Sequence, residues 1–352
     1  MIRPSALKQP LGRFALALGV GLAGGLVAAA VGLPAPWLMG SAVAVSLVAL
    51  AGVPVAIPAL ARNAAFAMIG MSMGSAITVE TLRSAVHWPL SLVVMALSLA
   101  VAMVLGVWYL RRFGGFDGAT AVLATAPGGL AFSLALATEG HGDVRRVTVN
   151  QSLRLLTLTA IMPLLVGTAA APTHGAAART LALDWTLPTL VTACLAGGWT
   201  ATRLRVPAGF LLGSMAVSVA AHIAGVVEGR PPAWLLAPGF VVTGGVIGTR
   251  FLGVTRADLW LGLHTASVTV LIALGVTGVA AIGVAWALAL PLGQVWVAYA
   301  PGGVESMAAM ALALGYDPAY VATHHVARLI VLTALLPLLL RLAEGRRSRD
   351  RR

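Results

Sequence analysis

The chain has 352 residues, 59% hydrophobic and only 10% charged, with a formal net charge of +12. A soluble domain carries roughly 25% charged residues, so this composition excludes a soluble catalytic or DNA-binding domain and points to an integral membrane domain. One cysteine, Cys194, excludes an intramolecular disulfide framework and gives no redox information.

The predicted apolar segments run near 14–31, 36–52, 58–77, 88–110, 118–139 and 147–170, then 186–202, 208–227, 237–252, 260–290, 294–314 and 319–341. Several reach or pass the roughly 20 residues that span a bilayer. Residues 1–31 imitate a signal peptide, with Arg3, Lys8 and Arg13 ahead of an apolar run. Gly24-Gly25 in that run has a counterpart in Gly197-Gly198, so the segment is expected to belong to the fold. At the other end Arg346, Arg347, Arg349, Arg351 and Arg352 crowd a short tail, 342–352, after the last segment. That is the pattern of a cytoplasmic anchor under the positive-inside rule. No folded nucleic-acid reader accompanies it.

The two sets of six segments are copies. Ala126-Pro127-Gly128-Gly129 recurs as Ala300-Pro301-Gly302-Gly303, a step of about 174 residues. The same step carries Asp143 to Asp317, Arg154 to Arg328 and Pro163 to Pro337, and Pro34 with Gly40-Ser41 matches Pro207 with Gly213-Ser214 one residue out of phase. The chain is therefore read as a duplicated unit, repeat one over 1–175 and repeat two over 176–352. Duplication in a membrane chain points to a transporter-like fold with its working centre between the repeats.

The parity of each repeat follows from its charges. If the fifth segment of each is broken or re-entrant and the N-terminus is cytoplasmic, Arg62, Arg111, Arg112, Arg145, Arg146, Arg203, Arg205, Arg250, Arg256 and the tail fall inside. Only Arg83, Arg179 and Arg230 then fall outside. Six full crossings would move Arg145, Arg146, Arg203, Arg205, Arg250 and Arg256 outside. The expected fold class is an all-α polytopic membrane protein with two inverted-topology repeats. Each has about five spans plus a broken or re-entrant segment.

The break has a local cause. Pro127 and Pro301 lack an amide proton and clash with the preceding turn, while Gly128, Gly129, Gly302 and Gly303 loosen the backbone. Freed backbone groups in hydrocarbon cost several kcal/mol each, so such a break must face protein or a wet cavity. The alternative is a kinked and packed helix.

A polar helix follows each break: Asp143, Thr148, Asn150, Gln151, Ser152 and Arg154 in the first copy; Asp317, Thr323, His324, His325 and Arg328 in the second. Asn150 and Arg154 share one helix face, as do His324 and Arg328, with Gln151 and His325 flanking. An arginine inside a spanning segment is disfavoured by about 2.5–3.5 kcal/mol and should face a partner or a cavity. It could serve a substrate, cap the carbonyls at the break, or snorkel. Glu305 breaks the symmetry, because the first copy has Ala131 there. It could pair with Arg328, carry a proton or hold a cation. His324 and His325 point to different faces, so no closed metal site, cofactor site or catalytic group is expected.

The paired Pro-Gly-Gly motifs, each followed by a polar helix with an arginine, resemble the membrane AbrB family over essentially the whole chain. Members carry labels such as ammonia monooxygenase and regulator of gene expression. They share only a name with the small β-rich DNA-binding AbrB. The resemblance implies a bacterial inner-membrane protein with a duplicated domain, distantly similar to sodium/proton antiporter-type transporters. A redox metal would be needed to oxidise ammonia, and the sequence offers no ligand cluster for one. The expectation is a multi-pass inner-membrane protein with both termini cytoplasmic, not an enzyme, moving a small organic anion. The rivals are a cation or proton exchanger built on Glu305 and a membrane-embedded regulator. The lipid bilayer and a small molecule or ion are the expected partners, nucleic acid is not, and a homo-oligomer is compatible with the sequence.

Overall fold

The computed structural model describes residues 10–127, 130–167, 180, 181 and 184–349. Gly128, Gly129, Arg3, Lys8, Arg179, Arg351 and Arg352, all named above, lie outside them. The described residues are almost wholly helical, with no strand among them beyond one isolated bridge between Thr180 and Arg230. Among the described residues four helices are long and apolar enough to cross a membrane: α1 (Pro10–Ala30), α5 (Trp88–Arg112), α8 (Val144–Val166) and most of α12 (Arg256–Leu288). Leu60, Leu271, Val279, Trp260 and Trp286 are exposed apolar side chains of the kind a lipid-facing surface carries. Trp260 and Trp286 stand near the two ends of α12, the usual place for interfacial aromatic residues.

The chain folds into two compact units, and each draws on both sequence copies. The first takes residues 1–86, 159–253 and 305–321; the second takes 87–158, 254–304 and 322–352.

In the first unit, α1 packs on α2 (Pro36–Leu50), and α9 (Thr186–Arg203) on α10 (Gly209–Ile223). A Cβ on Gly24 would strike the Gly40 carbonyl, and one on Gly213 would strike the Gly197 carbonyl. The two crossings therefore use the glycines that the duplication matches. The segment resembling a signal peptide is thus a packed helix of this unit. The copies also interlock. α3 (Ala59–Ser75) packs on α10 of the other copy, with Gly70 against the Leu211 carbonyl. α11 (Ala233–Thr249) packs on α2, with Gly244 against the Leu38 carbonyl. Small residues let helix backbones approach this closely where lipid offers no hydrophobic drive. A short helix α4 (Val79–Ser84) follows α3.

In the second unit, α5 packs on α12 and on α6 (Gly118–Thr125), and α12 packs on α13 (Leu292–Tyr299). Leu99, Met103, Leu110, Leu123, Val147, Leu332 and Leu336 form its core. Each fifth segment is interrupted where the sequence indicates. α6 ends at Thr125 and α7 (Leu130–Leu136) follows; α13 ends at Tyr299 and α14 (Val304–Leu314) follows. Both copies leave the helix in the same way, Ala126 at φ −58°, ψ 115° and Ala300 at φ −56°, ψ 138°. The two ends of the first interrupted segment also lie together. Thr120, in its opening turn, accepts the Asp143 amide beyond its end at 2.9 Å, and Arg146 donates to the Gly115 carbonyl at 2.7 Å.

Candidate functional site

The acidic turns have a structural job. Asp117 caps α6 by accepting the Ala119 and Thr120 amides at 3.1 Å. Asp143 accepts the Arg146 amide at 3.1 Å at the start of α8, and Asp317 accepts the Ala319 amide at 2.8 Å at the start of α15 (Pro318–Arg349). Each supplies an acceptor to amides that a helix start leaves without an intrahelical partner.

From these starts the polar faces of α8 and α15 reach the two breaks. Arg154, 4% exposed, donates to the carbonyls of Thr125 and Ala126, both at 3.2 Å. Arg328, fully buried, donates to the carbonyls of Ala300 at 2.6 Å and Gly302 at 2.5 Å. A helix that stops inside a protein leaves its last carbonyls unmatched. A guanidinium, with five donors in a fixed fork, can take two at once and bring positive charge to the negative end of the helix dipole. One turn before each arginine, Gln151 Nε2 donates to the Leu123 carbonyl at 2.7 Å and His325 Nε2 to the Val297 carbonyl at 3.0 Å. Since a carbonyl only accepts, His325 carries a proton on Nε2.

His324 faces elsewhere. Its Nε2 lies 2.8 Å from Ser91 Oγ, and its ring lies beside Tyr299, whose hydroxyl donates to the Ser91 carbonyl at 2.6 Å. The two adjacent histidines thus serve different neighbours. Among the described residues no three His, Cys, Asp or Glu side chains gather as metal ligands do.

Several buried polar atoms keep capacity to spare. Both amide atoms of Asn150, Ser152 Oγ, Arg154 Nε, Arg328 Nε and His325 Nδ1 find no hydrogen-bond partner among the described residues. An orphaned buried polar group is costly and marks a place for water, an ion or a ligand. The two guanidiniums repel each other, so the region holds an excess of positive charge. Pro127, Pro301 and Arg154 line one cavity of about 20 Å³, with Leu99, Met103, Gly106, Thr125, Thr269 and Thr277 on its other walls. That volume holds about a single water.

Both copies of the motif therefore meet in the second unit, with Pro127, Asn150, Gln151, Arg154, Pro301, Gly302, Gly303, His324, His325 and Arg328 all in it. Gly128 and Gly129 lie outside the described residues. Glu305 belongs to the first unit, half-buried, where its charge attracts Arg250 at the end of α11. Arg328 holds carbonyls where the sequence offered Glu305 as a partner. The sequence reading missed Gly106 of α5 and Thr269 and Thr277 of α12. They sit in uniformly apolar helices where one threonine looks like another.

These features define a helical membrane-type protein with two interrupted helices, each clasped at its break by a buried arginine. A family model described as transition state regulatory protein AbrB matches residues 37–344, and the chain belongs to the AbrB family. An Escherichia coli (strain K12) protein named "Putative regulator AbrB" is 28% identical over 311 residues, covering 85% of this chain and 87% of that protein. A Bacillus subtilis (strain 168) protein named "Uncharacterized protein YhjN" is 31% identical over 294 residues, covering 77% of this chain and 75% of that protein. No solved structure matches the chain.

Proposed function

We propose that this protein is a secondary transporter or exporter of a small organic anion, resident in the bacterial inner membrane with both termini cytoplasmic, and not an enzyme. The observation that carries the reading is the cavity shared by Pro127, Pro301 and Arg154. Two breaks from two copies converge there on guanidinium charge, with unfilled polar atoms on the helices around it. Broken helices facing a central site are the recurrent device of duplicated transporters. The excess of buried positive over negative charge favours an anion. At about 20 Å³ the cavity is too small for an organic anion, so loading requires the breaks to part.

An inverted arrangement of the repeats belongs to the same proposal. The return of the chain from Thr120 to Asp143 supports a re-entrant fifth segment, which leaves five crossings per repeat and turns the second copy over. The arginine distribution supports a cytoplasmic N-terminus.

The E. coli relative's name favours a second reading, a membrane-embedded regulator. A third, a cation or proton exchanger built on Glu305, is less favoured because that carboxylate has Arg250 as an opposite charge. Purified protein in proteoliposomes, challenged with a panel of radiolabelled organic anions, tests the proposal. Saturable uptake of at least one, lost in Arg154→Ala, is the expected result. Binding without uptake across the panel would favour the regulator.

A further inference from the structure

A second and larger cavity, about 240 Å³, opens beside the starts of α8 and α12. Gly114, Phe116, Asp143, Arg145, Arg146 and Asp258 are among its walls, with Gly262 and Thr265 at the α12 side. Arg145 forms an ion pair with the buried Asp258, and Arg146 donates to the Gly115 carbonyl and lies over the Phe116 ring. Asp258 and Thr255 make the capping box that starts α12. The acidic charges at this mouth are therefore committed to neighbours.

The two cavities lie on one track. Along α12, Asp258, Gly262 and Thr265 line or close the larger one, and Thr269 and Thr277 line the smaller. With Ala273, which also lines the smaller cavity, these positions are spaced by three or four residues and form one helix face. Gly106 of α5 lines the smaller, and Gly114, two residues past the end of α5, lines the larger. Leu110 lies midway between them in the sequence, one turn after Gly106 on the same face of α5, and is fully buried. At Gly262, α12 comes so close to α8 that an added Cβ would strike Val149 and meet Leu153.

We propose that the 240 Å³ cavity is the vestibule of the transport site, joined to it along the α12 threonine face, with Leu110 as the constriction and small anions as the class admitted. The proposal rests on the transporter reading above. Thr265 and Thr269 now donate to the carbonyls of Gly262 and Thr265, at 3.1 and 2.9 Å. A hydroxyl hydrogen rotates freely, so each can be turned to a passing anion while the carbonyl keeps its helical partner. The buried Arg154, with Nε unfilled, lies at the far end and draws negative charge inward.

The test uses single cysteines at Thr265, Thr269 and, as a lipid-facing control, Val279, in full-length protein with Cys194→Ser. The probes are a sulfonate-bearing and a trimethylammonium-bearing methanethiosulfonate, each giving a mixed disulfide with release of methanesulfinate. They are applied to right-side-out and inside-out vesicles. Thr265→Cys should label from the cytoplasmic face alone. Thr269→Cys should label slowly from that face, faster with the sulfonate, and at least about tenfold faster once Leu110→Ala lowers the barrier. Leu110→Val, a smaller change, should move the rate the same way and covers the case in which Leu110→Ala does not fold. Unchanged Thr269→Cys labelling in a folded Leu110 variant overturns the proposal, as does labelling of Thr269→Cys from the opposite face alone. Labelling of this pattern in protein that transports no anion would sink the transporter reading and leave the vestibule standing. Anion uptake without it would do the reverse.

Discussion

Gln151 and His325 occupy equivalent places one turn before the two buried arginines and make the same bond with different chemistry, each donating a side-chain N–H to a carbonyl of the interrupted helix. An amide and a neutral imidazole are interchangeable here because the acceptor asks for one donor at one place. His325→Gln should therefore keep the fold within about 0.5 kcal/mol, the usual range for a change that preserves its contacts. His325→Ala should cost about 1–3 kcal/mol by leaving the Val297 carbonyl unmatched. Thermal unfolding in detergent, comparing the two variants with wild type, checks the order. Equal loss in both would mean that the bond contributes nothing.

The arginines allow no such exchange. Each holds two carbonyls, and Lys has a point charge in place of a planar fork. Arg328→Lys is expected to insert and to lose about 1.5–3 kcal/mol for the charged hydrogen bond it cannot remake. Arg328→Ala should lose more, because the Gly302 carbonyl loses its guanidinium donor and the Ala300 carbonyl keeps only the Gly302 amide. Anion uptake should fall with Arg154→Lys as well as Arg154→Ala. Wild-type uptake in both would reduce Arg154 to a strut.

The Pro-Gly-Gly copies and the polar-Arg helices were legible in the sequence because Pro, Gly and Arg are improbable in hydrocarbon unless something requires them. What the arginines hold was not legible. Spacing places Arg154 and Asn150 on one face but says nothing of which carbonyl lies opposite. Glu305 suggested Arg328 because both are charges near one break, yet Arg328 found backbone acceptors, and Glu305 attracts Arg250. The interlocking of α3 with α10 and of α11 with α2 was hidden for another reason. A duplication fixes which helices are equivalent but leaves open whether a copy packs on itself or on its twin.

That interlock gives a prediction of its own. Gly70 and Gly244 meet the Leu211 and Leu38 carbonyls so closely that an added methyl has no room. Gly70→Ala and Gly244→Ala should each cost about 1–3 kcal/mol by forcing the helices apart. Gly19→Ala, where a Cβ meets nothing, is the control and should be neutral or slightly stabilising. Destabilisation by Gly19→Ala equal to that of Gly70→Ala would remove the packing explanation.

Topology can be read from equivalent exposed loops. Ala51 and Val226 both lie in exposed turns after α2 and α10, which the duplication matches. With Cys194 replaced, Ala51→Cys and Val226→Cys should label from opposite faces of the membrane. Arg145→Cys should label from the same face as Ala51→Cys. Both loops reacting from one face would mean parallel repeats and would leave the meeting ends of the first interrupted segment without their expected consequence.

Glu305 is where the transport readings part. It stands in the first turn of α14, in the unit that also holds Arg250 at the end of α11. If the carboxylate serves as counter-charge, Glu305→Gln removes the attraction and leaves the half-buried Arg250 without it. Removing one of two attracting charges leaves the other uncompensated, whereas removing both does not. The double variant Glu305→Gln/Arg250→Gln should then be more stable than the sum of the single losses implies, with a coupling of about 0.5–3 kcal/mol. The anion-transporter reading expects uptake by Glu305→Gln to keep the wild-type pH profile, because no transported proton resides there. A flat profile in folded Glu305→Gln protein, against a sloping one in wild type, would instead make Glu305 the coupling carboxylate and turn the proposal toward proton exchange.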